Sequence, residues 1–303
     1  MPENSFNKKQ VIRYLLWTFG LAYLIQFGAA RLYAAGQAQL GQLVVAAMMF
    51  VPALGVLLAG GSLRGLGWNP HIGKNIRPVL LAWLAPAVLT IAGAALYYLF
   101  FPSHFDMSGA ALSAQAGVDV AAQLAAQGLS YPLYIVITLA AAVTYAPAVN
   151  AFPALGEEIG WRGFLYPQLK ARFGRRKGWL LGGAIWGAWH WPLIWLIGYE
   201  YGAEYAGFPV AGMLLFCVIT AGWGILHDRL YEKTGSIWVP ALLHGAINAV
   251  ANLPILFCAA GTGSARLLGP VPNGILAGLP LLLPALLLLL RADDAAAASG
   301  AQP

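Results

Sequence analysis

Pro78–Phe101 reads PVLLAWLAPAVLTIAGAALYYLFF, 24 residues without a charged side chain. A helix of ~20 mostly apolar residues crosses the hydrocarbon core of a bilayer. Moved outward along the chain, the same window finds seven more runs, at 11–30, 41–60, 131–156, 178–198, 208–227, 237–257 and 272–290. Composition agrees. Charged residues make up 9% of the 303-residue chain and hydrophobic residues 60%, against about 25% charged in a soluble domain. A mean hydropathy of +0.69 excludes a soluble enzyme, a disordered chain and a disulfide scaffold. Cys217 and Cys258 both lie in apolar stretches and are expected as buried packing residues, not a redox or metal pair.

The net charge of +6 acquires its meaning from where the cations fall. Cytoplasmic connections of membrane proteins collect Lys and Arg. With the N-terminus in the cytoplasm, fifteen of the seventeen basic residues lie on that side, from Lys8, Lys9 and Arg13 through the 162–177 cluster to Arg291. Arg31 and Arg266 alone lie on the other. The expected fold is therefore all-α: a polytopic transmembrane bundle of about eight spans, both termini cytoplasmic. It forms one domain over 1–291, with a disordered tail at 292–303. The first run is long and lacks a clean small-x-small site, so it is expected to stay as a span and not to be cleaved as a signal peptide. Residues 102–130 are expected to cap the outer face with a short amphipathic helix. Nucleic acid and nucleotide are not expected partners, since the charge is topological and no GxxxxGK[ST] occurs.

Ionisable groups inside a bilayer are costly, which makes each a functional candidate. Three clusters stand out. In Glu157-Glu158-Ile159-Gly160-Trp161-Arg162, Glu158 and Arg162 are spaced i,i+4 and can pair on one helix face. Glu157 points about 100° away and cannot share that partner. In Trp186-Gly187-Ala188-Trp189-His190, His190 lies ~16 Å in from the cytoplasmic end. Gly183 and Gly187 give that helix a close-approach face. In His244-Gly245-Ala246-Ile247-Asn248, His244 and Asn248 project together, the histidine ~10 Å deep. Taken singly, these read equally as a solvated helix end, a structural histidine and a structural hydrogen-bonded pair. Together they supply a general base, a second acid or base and two oxyanion donors, the parts needed for water attack on an amide. His227, beside Asp228 and Arg229, is expected to be an interfacial cap. Glu200 and Glu204, among Tyr199, Tyr201 and Tyr205, are expected in an interfacial aromatic belt. His71 and His104 are expected in solvated loops. No HExxH zinc-peptidase motif occurs.

Glu-Glu-x-x-x-Arg, aromatic-x-x-x-His and His-x-x-x-Asn in this order resemble the CAAX protease and bacteriocin-processing (CPBP, or Abi) intramembrane proteases. Thr234-Gly235-Ser236-Ile237-Trp238-Val239-Pro240 also looks like the family's, and the likeness covers about 150–252. Trp186 departs from the Phe usual in the family. The resemblance implies an endopeptidase cutting a peptide bond of a membrane-associated protein or peptide at a cytosol-facing cavity. Glu157 and His190 would activate the water, His244 and Asn248 would hold the oxyanion, and Glu158, Arg162 and Trp186 would support them. It leaves the cofactor open between none required and Zn²⁺ on Glu157, His190 and His244. Expected partners are membrane lipid and a peptide or membrane-protein substrate. The alternatives are a non-catalytic binding or immunity protein on the same scaffold and a proton-coupled transporter. A chain rich in Ala, Gly and Leu with few Lys suggests a bacterial plasma membrane.

Overall fold

The computed structural model describes residues 6–292, so the expected disordered tail lies outside the described residues apart from Ala292. The elements are α1 (Lys8–Ala34), α2 (Ala38–Met48), α3 (Val51–Leu58), α4 (Ile72–Phe100), α5 (Ala110–Ala116), α6 (Val120–Ala126), α7 (Tyr131–Val143), α8 (Ala146–Gly160), α9 (Tyr166–Phe173), α10 (Arg175–Trp189), α11 (Trp191–Ile197), α12 (Val210–Thr234), α13 (Trp238–Val250) and α14 (Leu279–Arg291). Among the described residues there is no strand, only an isolated antiparallel bridge between Phe105 and Cys258. Among the described residues, five helices or helix runs are long and apolar enough to cross a membrane. Counting the bent pairs α2–α3 (41°) and α6–α7 (93°) raises this to seven. The run expected at 272–290 is helical only over α14, and the one at 131–156 breaks at Thr144-Tyr145 ahead of Pro147. The outward faces carry Leu16, Leu24, Val88, Ile91, Val218 and Leu287 exposed, a coat that suits lipid and not water. The chain is an integral, multi-pass membrane protein.

Direct contacts gather the basic segments at one end of the bundle. Phe6 packs edge-on against Phe173, and the Asn7 amide donates to Gln168 Oε1 at 2.7 Å. Tyr231 and the Ile237 amide both donate to the Leu66 carbonyl, and Arg176 donates to the Leu290 and Ala292 carbonyls. At the opposite end, Tyr98 and Tyr131 donate to the carbonyls of Pro254 and Leu256. There Tyr201 donates to the Asn273 carbonyl. The expected 102–130 cap is two short helices, α5 and α6; α5 lies on this end, with Ala111 packed beside Ile255, Cys258 and Val271. Cys217 and Cys258 are free thiols; Cys258 is buried as expected, whereas Cys217 is only half-buried.

Two proline breaks shape the interior of the bundle. Pro167 lacks the N–H that would bond four residues back, and the chain widens into a π-helical turn at Trp161–Leu165. Pro192 likewise cannot bond the Ala188 carbonyl, so α10 ends and α11 begins at His190. The freed groups are taken up by α1. Tyr23 donates to the Ala188 carbonyl at 2.9 Å. The fully buried Gln26 donates to the Trp189 carbonyl at 2.7 Å and accepts from the Leu193 amide at 3.1 Å. A spanning helix can break inside a bilayer only where such partners exist. On the other face of α10, a Cβ on Gly183 would collide with the backbone of Ala221, and one on Gly187 would lie 2.6 Å from Cys217 Cα. The close approach to α12 thus requires both glycines, as their spacing implied.

Candidate active site

The π-turn and the α10 break bring side chains from α8, α10, α12 and α13 around one cavity of about 840 Å³. Glu157, Trp186, His190, His244 and Asn248 all line it; Glu158 and Arg162 do not. The two adjacent carboxylates have different surroundings. Glu157 presents its carboxylate to the cavity, with Oε2 accepting from Trp186 Nε1 at 2.8 Å and Trp161 Nε1 at 3.1 Å. Two indole donors on one oxygen fix the carboxylate's orientation, and among the described residues no protein donor reaches Oε1.

Glu158 turns the other way and is fully buried. Its Oε1 lies 2.9 Å from Arg162 Nη1 and 2.8 Å from His244 Nδ1. The Arg162 guanidinium is also held by rings, 4.3 Å from the Trp186 centroid and 4.9 Å from that of Tyr166. A buried charge needs this degree of pairing. Below it, Lys170 bonds Asp228 and Glu232, and Trp179 Nε1 donates to Asp228 at 2.6 Å. These layers close the basic end under the site.

The hydrogen bonds also assign protons on the two histidines. His190 Nδ1 lies 3.0 Å from the Trp186 carbonyl. A carbonyl only accepts, so Nδ1 carries the hydrogen and Nε2 keeps its lone pair. His190 is stacked on Tyr199 at 6.0 Å and abuts Phe216, which locks the ring. His244 Nδ1 faces a carboxylate and donates to it. With that proton on Nδ1, Nε2 carries a donor hydrogen only when both ring nitrogens are protonated.

Sequence reasoning missed three features. His227 is not an interfacial cap. It is fully buried in α12, its Nδ1 2.6 Å from the Trp223 carbonyl and its ring edge-on to Trp186 and His244. It lies two turns in from the Gly235 end of α12, and its charged neighbours Asp228 and Arg229 disguised that depth. Glu200 and Glu204, expected in an interfacial aromatic belt, line the same cavity as Glu157. Glu200 adopts a left-handed φ of 69°, a backbone state uncommon in residues other than glycine. Trp161 and Trp186 act as hydrogen-bond donors, where the sequence suggested only bulk.

The expected trio Glu157, His190 and His244 is not the one whose ligand atoms converge. That grouping is Glu158, His227 and His244, with atoms within 4.8 Å of one another. Its carboxylate is already bonded to a buried guanidinium and to an imidazole, so a dication there would sit against Arg162.

A buried carboxylate, two imidazoles and a carboxamide on one cavity inside a multi-pass helical membrane protein make a candidate hydrolytic site. Residues 123–250, which contain all of these groups, match the family described as type II CAAX prenyl endopeptidase Rce1-like. A 40-residue segment is 42% identical to the CAAX prenyl protease 2 of Methanococcus maripaludis, covering 13% of this chain and 15% of that protein. The matched stretch is thus a small part of the relative's length.

Proposed function

We propose that this chain is an intramembrane endopeptidase of a bacterial plasma membrane, cutting a peptide bond in a membrane-associated peptide or protein with a water activated by Glu157 and His190. The observation that carries the reading is the division of labour between neighbouring carboxylates. One faces the cavity with an oxygen free of protein donors, and the other is locked into Arg162 and His244. Water held by Glu157 Oε1 and the His190 Nε2 lone pair gives its proton to Glu157 as its oxygen attacks the carbonyl carbon. The developing oxyanion is held by the His244 imidazolium and the Asn248 amide, and the proton on Glu157 then passes to the leaving nitrogen. No step is routed through a metal. Glu157→Gln keeps the shape and removes the base. Peptide cleavage by the detergent-solubilised protein is expected to fall by at least ~10²–10⁴-fold with folding intact. Full activity in that variant would overturn the mechanism.

A further inference from the structure

The face of α13 that carries His244 and Asn248 continues past them. His244, Asn248, Ala251, Asn252 and Ile255 all line the active-site cavity, at the spacing of one helical stripe. The adjoining face is pressed on α8, where a Cβ on Gly245 would collide with the Ala151 backbone nitrogen and the Pro147 carbonyl oxygen. That contact fixes the rotation of α13, so positions 244, 248 and 252 keep one heading. The helical path holds through Ala251 and Asn252, both with right-handed φ and ψ.

Asn248 and Asn252 are the uncommitted polar groups of this stripe. Both are exposed, and neither carboxamide makes a hydrogen bond among the described residues. Asn252 stands where an asparagine ordinarily caps the helix that follows, here the 3₁₀ turn Leu253–Phe257, yet its side chain makes no capping bond. Asn150, on α8 and lining the same cavity, differs: its Nδ2 is spent on the Ala146 carbonyl at 2.9 Å. A free carboxamide carries donor and acceptor side by side. One residue of an extended peptide presents the complement, because its N–H and C=O point to the same edge. The spacing fits as well. Four helical residues advance ~6 Å, and successive same-edge residues of an extended strand stand ~6.6–6.8 Å apart.

We infer that Asn252 is a substrate-binding residue: it holds the backbone N–H and C=O of an extended peptide two residues away from the one whose carbonyl meets Asn248. The inference rests on the proposed peptidase reading, and it adds to that site a backbone subsite indifferent to side chains. Asn252 grips substrate and transition state alike, so its loss should raise KM and spare kcat. Asn248, as an oxyanion donor, should instead lose kcat when truncated. A side chain that only steadied the helix end would not split the two constants in this way.

Fluorescein-labelled casein is the first probe, incubated with the full-length protein in detergent while mass spectrometry maps the bond that is cut. A decapeptide spanning that bond is then made unmodified and with single backbone amides N-methylated, which removes one N–H at a time. With wild type, methylation two residues before or two residues after the one that carries the scissile carbonyl should raise KM roughly fivefold or more, the loss of a two-bond contact. Asn252→Ala should raise KM for the unmodified peptide by a similar factor and add nothing to the penalty of that methyl group. Asn252→Asp keeps the shape, loses the donor and should show the same KM rise, which covers poor folding of the alanine variant. Unchanged KM in both variants, a loss confined to kcat, or full additivity of substitution and methylation would overturn the subsite and leave the peptidase reading intact. Casein cleavage by wild type no greater than by Glu157→Gln would instead remove the peptidase reading, and the subsite with it.

Discussion

At the residue scale, the indole donors on Glu157 separate this site from one built with phenylalanine. Trp186→Phe keeps an aromatic ring under Arg162 but removes the 2.8 Å donor to Glu157. A hydrogen bond to a charged group contributes about 1.5–3 kcal/mol, so a fall in kcat of tenfold or more is expected, with little change in KM. Unchanged kcat would show that Trp161 alone orients the carboxylate. Arg162→Ala should act on folding instead. It strands Glu158 in the interior, at a cost of about 3–5 kcal/mol, measured as lost thermal stability and folded yield in detergent. Metal removal is a third probe: activity is expected to survive a strong chelator, and loss restored by added Zn²⁺ would contradict that. The sequence made the Glu157–Glu158 division legible because helix spacing alone separates i and i+1 by a quarter-turn or more. His227, Gln26 and the two indoles were not legible. Their roles depend on neighbours from α1, α8 and α13, brought together by the tertiary fold.

At the element scale, the broken helix at His190 depends on Gln26. Gln26→Leu leaves the Trp189 carbonyl and Leu193 amide without the partners that bridge them. Each buried, unsatisfied polar group costs about 1–3 kcal/mol. Thermal stability should drop, and activity should drop further as the His190 ring loses its fixed position; wild-type behaviour in both would mean the break holds itself. The connection after α11 carries a pH signature. Burial pushes the Glu200 carboxyl up to about 7, against opposing hydrogen bonds from Tyr199 and Asn273. An ordinary glutamate titrates near 4.3, so between those values the native state binds more protons than the unfolded one. Stability contributed by this group therefore declines as pH rises from about 4.3 to 7, then levels off. Glu200→Gln should flatten the melting-temperature difference between pH 5 and pH 8, and an unaltered difference would assign it to other groups. The apolar runs were legible at this scale as runs. Their breaks at Thr144-Tyr145 and His190 were less so. Proline marks where a helix can break, but whether it does depends on side chains elsewhere that satisfy the freed backbone.

At the scale of the whole molecule, hydropathy and charge reveal an alternating membrane bundle because lipid imposes one requirement on every span. They do not reveal the cavity, whose walls come from segments as distant as Gln42 and Arg266. The alternation itself has a direct consequence. Arg175 begins α10 at the basic end, where its guanidinium lies 3.3 Å from Glu232. Glu204 follows α11 at the other end, against Gly263. The α10–α11 run between them, Arg175–Ile197, is 23 residues long, and at 1.5 Å per residue it reaches about 34 Å, enough to cross ~30 Å of hydrocarbon. A reporter fused after Arg175 should therefore read cytoplasm and one fused after Glu204 the outer side. The site depends on this antiparallel crossing. His190 approaches Glu157 because α10 rises from the basic end while the α8–α9 segment descends toward it. Both fusions reading the same side would mean that α10–α11 does not cross, and a buried site shared by α8, α10 and α13 could not form in the membrane. Opposite readings with the sides exchanged would keep the bundle and the site but reverse their orientation in the membrane.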